Sequence, residues 1–106
     1  GDVNIQDLLY DNENRIIHFP ENKNKKPSFL TGIESKVLNV LLRYSGEIIT
    51  PDKINLEVWG GNYSYVPVVI ANIRDKLGDS LQEQKYIQTI GNGIGYSLIK
   101  EIKEKK

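Results

Sequence analysis

The chain has 106 residues, and its 14 basic residues balance its 14 acidic residues to a formal net charge of zero. This length fits one domain, and 39% hydrophobic with 26% charged residues is the composition of an ordinary globular domain rather than a disordered one. The sequence has no Cys and one His, which excludes disulfide frameworks, thiolate zinc sites, cysteine nucleophiles and multi-histidine metal sites. Zero net charge also argues against nucleic-acid binding, because the surface used for it is usually basic.

No segment is apolar over the length that a membrane-spanning helix needs, about 20 residues. The longest nearly apolar run covers only 66–73. The N-terminus has no basic region followed by an apolar stretch, so we expect no signal peptide. Because the sequence lacks Met altogether, we expect a fragment or a processed chain of a longer protein.

The first third of the chain predicts strands. Apolar residues at 8–10 precede a turn-forming cluster at 11–14. The segment 15–19 has β-branched and aromatic character and stops at Pro20, and a short third strand is predicted at 28–30. We expect residues 1–30 to form an antiparallel meander that belongs to the same domain as the rest of the chain.

The hydrophobic period then changes to that of a helix. The predicted buried face of this first helix consists of Ile33, Val37, Val40, Leu41 and Tyr44. Thr31 and Glu34 have the spacing of a capping box, and Gly46 closes the helix. A second helix is predicted to begin after Thr50 as N-cap and to end at Gly60.

A third helix is predicted to open near Ser64, with Pro67 in its first turn and Gly78 at its end. Its buried face should carry the apolar residues Val66, Ile70, Ile73 and Leu77. Its outer face should carry Tyr65, Val68, Val69, Asn72, Asp75 and Lys76.

The last third returns to strands, at 86–90 and 96–99. Asn92-Gly93 between them predicts a type I′ hairpin turn, because both central residues of that turn need positive φ. Residues 100–106 are rich in Lys and Glu, and we expect a solvated tail or linker there. Strands, three helices and a hairpin predict an α+β winged helix-turn-helix, with its helices and its wing at 31–99.

Several short motifs follow one another along the chain: Leu30-Thr31-x-x-Glu34, Gly46-Glu47-Ile48-Ile49-Thr50, Val58-Trp59-Gly60, Ile70-x-x-Ile73-Arg74-x-Lys76-Leu77-Gly78-Asp79, Tyr86-Ile87-x-Thr89-Ile90 and Gly95-Tyr96. Together they resemble the OmpR/PhoB-type winged-helix domain over roughly residues 4–100, and the stretch 77–89 is similar to its ToxR/CadC-like branch. The resemblance implies a cytoplasmic domain of a bacterial transcription regulator, in some members anchored to the membrane. It implies promoter DNA as the partner, with the third helix in the major groove and the wing near the minor groove.

Candidate DNA contacts combine the predicted outer face with the family pattern. Asn72 suits bidentate pairing with adenine and Val68 suits a thymine methyl, unless both are simply exposed helix positions. The resemblance implies phosphate contacts for Arg74 and Thr89, although Arg74 has the alternative of an ion pair with a nearby Asp. The full set of candidates is Val68, Asn72, Arg74, Lys76, Lys85, Thr89 and Asn92.

The third helix and the wing depart from the family pattern in charge. Members usually carry several basic residues on the outer helix face, where this chain has Val69, Ala71 and Asn72, and the segment 91–95 has no basic residue. Three phosphate contacts would give a slope of log affinity against log salt of about −2.7. We therefore expect weak binding by one domain, strengthened by a second copy or a related regulator on an adjacent half-site.

A second interpretation is a protein-binding domain, because the predicted outer face has three apolar side chains. The turn at 60–64 resembles a segment that touches RNA polymerase. The candidate contacts with polymerase or a partner regulator are Gly61, Asn62, Tyr63, Tyr65 and Val69.

Gly91-x-Gly93-x-Gly95 lies in a hairpin and lacks the last glycine of a nucleotide loop. We expect no catalytic residue, cofactor, metal site or membrane contact.

Overall fold

The computed structural model describes residues 8–62 and 65–105. Within these residues the elements follow the order β1 (Leu9–Asp11), β2 (Ile16–His18), β3 (Ser28–Phe29), α1 (Gly32–Arg43), α2 (Pro51–Trp59), α3 (Val66–Leu77), β4 (Ile87–Ile90), β5 (Gly95–Leu98) and β6 (Lys103–Glu104). This order confirms the predicted α+β winged helix-turn-helix. Tyr63 and the predicted helix start at Ser64 lie outside the described residues, as do residues 1–7.

The N-terminal meander gains an unpredicted fourth strand. β1 pairs antiparallel with β2 and β2 with β3, as expected, while β6 pairs in parallel with the other side of β1. A solvated tail is therefore the wrong expectation for Ile102 to Glu104, because Ile102 is buried and leads into β6. Both side chains of this two-residue strand are exposed, so no hydrophobic alternation marks it in the sequence.

α1 begins with the predicted capping box, in which the Glu34 amide donates to Thr31 Oγ1 at 3.1 Å and the Thr31 amide donates to Glu34 Oε1 at 2.9 Å. Ile33, predicted to be buried, is instead 38% exposed. The buried side chains of this first turn are Glu34 and Ser35, so the inner face of α1 begins on its polar residues.

Glycines end both of the following helices. Thr50 caps α2 through a bond from the Lys53 amide to its hydroxyl at 3.2 Å, and Gly60 ends that helix at φ +69°. Gly78 ends α3 at φ +74°. Both glycines adopt the left-handed conformation that closes helices at low cost.

The wing is the β4–β5 hairpin together with its connecting loop, residues 91–94. Ile90 pairs with Gly95, so four residues connect the strands instead of the two of a type I′ turn. Positive φ falls on Gly91 and Gly93, at 60° and 97°, and not on Asn92 and Gly93 as predicted. Because Gly91 can also adopt positive φ, the chain forms this four-residue loop instead of the two-residue turn that Asn92-Gly93 predicts.

One apolar core joins the meander, the helices and the wing. Its wholly buried members include Tyr10, Ile17, Leu38, Ile70 and Leu98, one from each of five elements. Tyr96 connects the wing to the chain before α2 through a pair of backbone hydrogen bonds with Ile49, each 2.8 Å. Within residues 8–62 and 65–105, no helix has the length and hydropathy needed to cross a membrane.

Candidate nucleic-acid interface

The outer face of α3 is exposed, while its inner face lies in the core. All four residues predicted for the inner face are buried: Val66, Ile70, Ile73 and Leu77. Val68 is 53% exposed, and Ala71 and Asn72 are also exposed. The core therefore fixes α3 with Val68, Ala71 and Asn72 directed outward, next to the exposed Asp75.

Val69, predicted on the outer face, is buried at 6% exposure. It stands three residues after Val66 and four before Ile73, and residues at these spacings share one helix face. Val69 thus widens the apolar inner stripe. As a core residue it offers no surface to a partner, which corrects its assignment as a partner contact.

Arg74 is buried as well, whereas a phosphate contact or a surface ion pair with a nearby Asp would need it exposed. It donates from Nε and Nη2 to the carbonyl oxygen of Ile87, at 3.2 and 2.8 Å, and from Nη2 to Thr89 Oγ1 at 2.6 Å. Burial lowers its pKa, while Asp79 and Tyr96 act in the opposite direction. Arg74 therefore connects α3 to β4 from within the protein.

Asp79 holds the segment between α3 and the wing. Its Oδ1 accepts from the amides of Ser80 and Lys85, each at 2.7 Å, and its Oδ2 accepts from the amides of Tyr86 and Ile87 at 2.9 and 3.2 Å. Burial alone would raise the pKa of Asp79, but these backbone hydrogen bonds outweigh it and hold the pKa below its ordinary value.

We refer to Arg74, Asp79 and the groups at 86–89 that they bind as the wing root. Gln84 extends the wing root, because its Oε1 accepts from the Thr89 amide at 2.9 Å. Sequence reasoning assigned no site role to Asp79 or Gln84. The signal available for Asp79 was its place directly after a helix-ending glycine, where a short carboxylate can accept from nearby backbone amides.

The two lysines proposed as phosphate contacts differ in how they are engaged. Lys76 Nζ lies 2.6 Å from Glu34 Oε1, and the side chains of this pair are only 29% and 8% exposed. Lys85 Nζ lies 3.5 Å from Glu83 Oε2, with both side chains at least half exposed. Lys76 thus connects α3 to the capping box of α1, while Lys85 remains accessible.

An open groove of about 680 Å³ runs between α3 and the wing. Its lining includes Pro67, Ala71, Arg74, Thr89, Asn92 and Tyr96. Asn92 is exposed, whereas Tyr96 is buried in the core. The structure thus brings three candidate DNA contacts, Arg74, Thr89 and Asn92, to one groove beside the outer face of α3.

The predicted partner surface is exposed where the structure describes it, apart from the buried Val69. Gly61 and Asn62 are exposed, and Tyr65 is 62% exposed. Tyr63 lies outside the described residues. In the described part of the chain, no three His, Asp or Glu side chains come together as metal ligands.

Comparison with known proteins identifies the family. The family described as "Transcriptional regulatory protein, C terminal" matches residues 25–98. The chain is 30% identical over 82 residues to the regulatory protein VanR of Enterococcus faecium, which covers 73% of this chain and 35% of VanR. It is 30% identical over 101 residues to the KDP operon transcriptional regulatory protein KdpE of Escherichia coli, which covers 92% of this chain and 43% of KdpE. The chain thus spans less than half the length of these relatives.

Solved structures agree in fold. The DNA-binding domain of Klebsiella pneumoniae RstA, in complex with the RstA box, gives a TM-score of 0.73 at 25% identity, covering 92% of this chain and 95% of that one. The response regulator DrrB of Thermotoga maritima, an OmpR/PhoB homologue, gives 0.74 at 26%, covering 92% and 44%. The E. coli CadC DNA-binding domain gives 0.68 at 23%, covering 92% and 90%, which shows a shared fold. This chain belongs to the family of transcriptional regulatory protein C-terminal domains, of the OmpR/PhoB type that its sequence resembles.

Proposed function

We propose that this domain binds double-stranded promoter DNA as part of a bacterial transcription regulator in the cytoplasm. In this proposal the domain catalyses no reaction. The observation that carries the proposal is the exposed outer face of α3, held outward by a buried inner face, in a fold shared with the RstA domain in complex with its DNA box. An α-helix exposed in this way fits the width of the major groove. The wing then lies near the minor groove.

Base reading falls to Asn72 and Val68. The Asn72 amide is exposed on the outer face and has the donor and acceptor that pair with adenine N7 and N6. Val68, half exposed and one turn earlier, is placed for the methyl group of a thymine. Neither residue is needed for the core, so specificity and stability are separable at these positions.

Phosphate contacts are few in this proposal. A phosphate that enters the groove between α3 and the wing would meet Thr89 and Asn92, beside Asp75 of α3, because Arg74 is already bonded to Ile87 and Thr89. Lys85 is exposed and offers a further phosphate contact outside this groove. Lys76 is held by Glu34, so it drops to a secondary candidate. With one or two effective contacts the salt slope is about −1 to −2, and useful affinity comes from a second copy or a related regulator on an adjacent half-site.

The direct test is Asn72→Ala, with binding measured on a duplex selected from a random library and on variants of that duplex. We expect the substitution to relax specificity at one adenine position by about 1–3 kcal/mol. The matched control is Asn24→Ala, on the exposed loop between β2 and β3, which should leave binding unchanged. Unaltered affinity and site preference in the Asn72→Ala variant would remove Asn72 as the reader.

A second function, docking of a partner protein, is favoured by two exposed apolar side chains near the start of α3, Tyr65 and Val68. A partner regulator or RNA polymerase would cover them together with Gly61 and Asn62. Concentration-dependent association abolished by Val68→Glu would support this function. Val69 is unsuitable for such a test, because a charge there would enter the core.

A further inference from the structure

The outer face of the N-terminal meander carries an open hollow of about 450 Å³. On the inner face, Tyr10 and Ile17 pair across β1 and β2 and are wholly buried, and the Tyr10 hydroxyl lies 2.6 Å from Ser35 Oγ of α1. Neighbouring residues of a strand point to opposite faces, so Leu9 and His18, which also pair, face away from α1. Both line the hollow, which therefore opens on the side of the sheet away from that helix.

The charged side chains that line this hollow are all basic, and we call it the basic hollow. Lys23 and Lys25 belong to the loop between β2 and β3, and Lys105 follows β6; the described residues of the lining include no Asp or Glu. Asp11 lies near Lys105, with 3.8 Å between Oδ2 and Nζ, but its side chain is only 8% exposed and accepts two hydrogen bonds from Asn14. In a chain of zero net charge, the basic hollow is thus a local excess of positive charge.

Contacts within the loop between β2 and β3 hold its lysines in place. The Asn22 amide donates to the carbonyl oxygen of Phe19 and the Lys25 amide to that of Asn22, each at 3.1 Å. The Lys25 ammonium lies 4.4 Å from the centre of the Phe19 ring, and a Cβ atom at Gly78 would stand 2.6 Å from it, so it reaches the end of α3. Glu21, the acidic member of the loop, lines a separate hollow beside this one. A partner therefore meets a preformed basic surface, which lowers the entropy cost of binding.

Apolar side chains line the basic hollow as well, namely those of Leu9, Phe19, Pro20 and Pro27. DNA phosphates would pair with the lysines but leave these side chains uncovered, whereas a peptide segment can offer carboxylates and apolar side chains together. The basic hollow also shares no lining residue with the groove between α3 and the wing. This combination favours an acidic peptide over nucleic acid as its ligand.

We propose that the basic hollow binds an acidic segment of a partner protein, in which Asp or Glu side chains alternate with apolar ones. The carboxylates pair with Lys23, Lys25 and Lys105, and the apolar side chains cover Leu9 and Phe19. Charge complementarity of this kind selects the partner and speeds association. The inference goes beyond the proposed DNA binding and does not rest on it, because the two surfaces are separate.

The probe is a fluorescein-labelled peptide in which Glu alternates with Leu over about eight residues, long enough to cross the hollow at about 3.3 Å per residue. One comparison peptide has Gln in place of Glu, and the other has Ser in place of Leu. Fluorescence anisotropy measures the affinities, and an NMR titration locates the peptide through amide chemical shifts. We expect the Glu-Leu peptide to bind most tightly of the three and to shift the amides at 19–27 and 103–105.

Lys23→Glu tests the role of the lysines. Lys23 is exposed, so the reversed charge should weaken peptide binding about five- to ten-fold and leave the urea midpoint unchanged. Lys105→Gln should weaken it about two-fold. The matched control is Lys36→Glu, an equal change of charge at an exposed position of α1, which should leave peptide binding unaltered. Lys23→Glu should also bind the selected duplex as the unaltered domain does, so that loss of peptide binding and loss of DNA binding are distinguishable.

Three results would overturn the inference. The first is equal affinity of Lys23→Glu and Lys36→Glu for the Glu-Leu peptide. The second is equal binding of that peptide and either comparison peptide by the unaltered domain. The third is a DNA duplex that displaces the peptide and shifts the same amides, which would assign the basic hollow to nucleic acid. The proposed base contacts of Asn72 and Val68 would stand in each case.

Discussion

The wing root and the outer face of α3 use polar groups in opposite ways. At the wing root a buried guanidinium and a buried carboxylate bind backbone groups of the hairpin. On the outer face, one helix turn away, Val68, Ala71 and Asn72 are exposed and uncharged. The difference shows that the two basic residues of the third helix hold the hairpin and α1, and leave an outer face without a free basic side chain.

This contrast also shows which surface lacks free basic residues in a chain of zero net charge. Arg74 and Lys76, the two basic residues of α3, are both engaged inside the domain, one with β4 and one with Glu34. The outer face of α3 therefore has no free basic side chain, and Asp75 is exposed there.

Asp79→Ala tests the wing root. The substitution leaves the buried amides of Tyr86 and Ile87 without an acceptor, and each buried unsatisfied donor costs about 1–3 kcal/mol. We expect the free energy of unfolding, measured by urea denaturation, to fall by about 3 kcal/mol. The matched control is Asp75→Ala at an exposed position of α3, which should stay within about 0.5 kcal/mol. Equal stabilities of the two variants would contradict a stabilising wing root.

Acid should lower the free energy of unfolding through protonation of Asp79 in the wing root. The pKa of folded Asp79 lies below its ordinary value, so the unfolded chain binds the proton more readily and the stability from this group is present above about pH 4. That stability is lost as the pH falls through the pKa of the folded state. Urea midpoints measured from about pH 6 to pH 3 should therefore fall more steeply for the unaltered domain than for Asp79→Asn. Some slope remains in the variant, because hydrogen bonds from Asn14 also lower the pKa of Asp11.

Lys76→Met tests whether Lys76 stabilises the fold or contacts DNA. The ammonium lies 2.6 Å from a nearly buried Glu34 carboxylate, so its loss should lower the free energy of unfolding by about 1 kcal/mol. The salt slope of DNA binding should change little, since Glu34 already holds this lysine. Lys85→Met should do the reverse, flattening the slope by about one with no change in stability. An exchange of these two results would assign Lys76 to the DNA surface.

Much of the fold could be predicted because its signals are local. The capping box of Thr31 and Glu34, the N-cap Thr50 and the helix-ending Gly78 each act within a few residues, and the structure has all of them. The strand β6 could not be predicted, because it forms by backbone pairing with β1 across the whole length of the chain. No side-chain pattern of its own marks it.

The roles of the candidate site residues were harder to predict, because they depend on which side chains the folded protein buries. Val69 and Arg74 have spacings that fit either the edge of the outer face or the edge of the inner face. Val69 is buried in the apolar core, and hydrogen bonds to β4 hold Arg74 inside. A polar residue such as Arg74 is expected outside unless a buried carbonyl needs a donor. That carbonyl belongs to Ile87, which only the folded hairpin brings to α3.

The most direct test of the central claim is the salt dependence of binding by the isolated domain to a selected duplex, between about 50 and 200 mM salt. An outer face without a free basic side chain, with one or two phosphate contacts, predicts a slope of log affinity against log salt of about −1 to −2. A slope of about −6 or steeper would require many phosphate contacts, and would contradict an account in which the lysine and arginine of α3 are held within the protein.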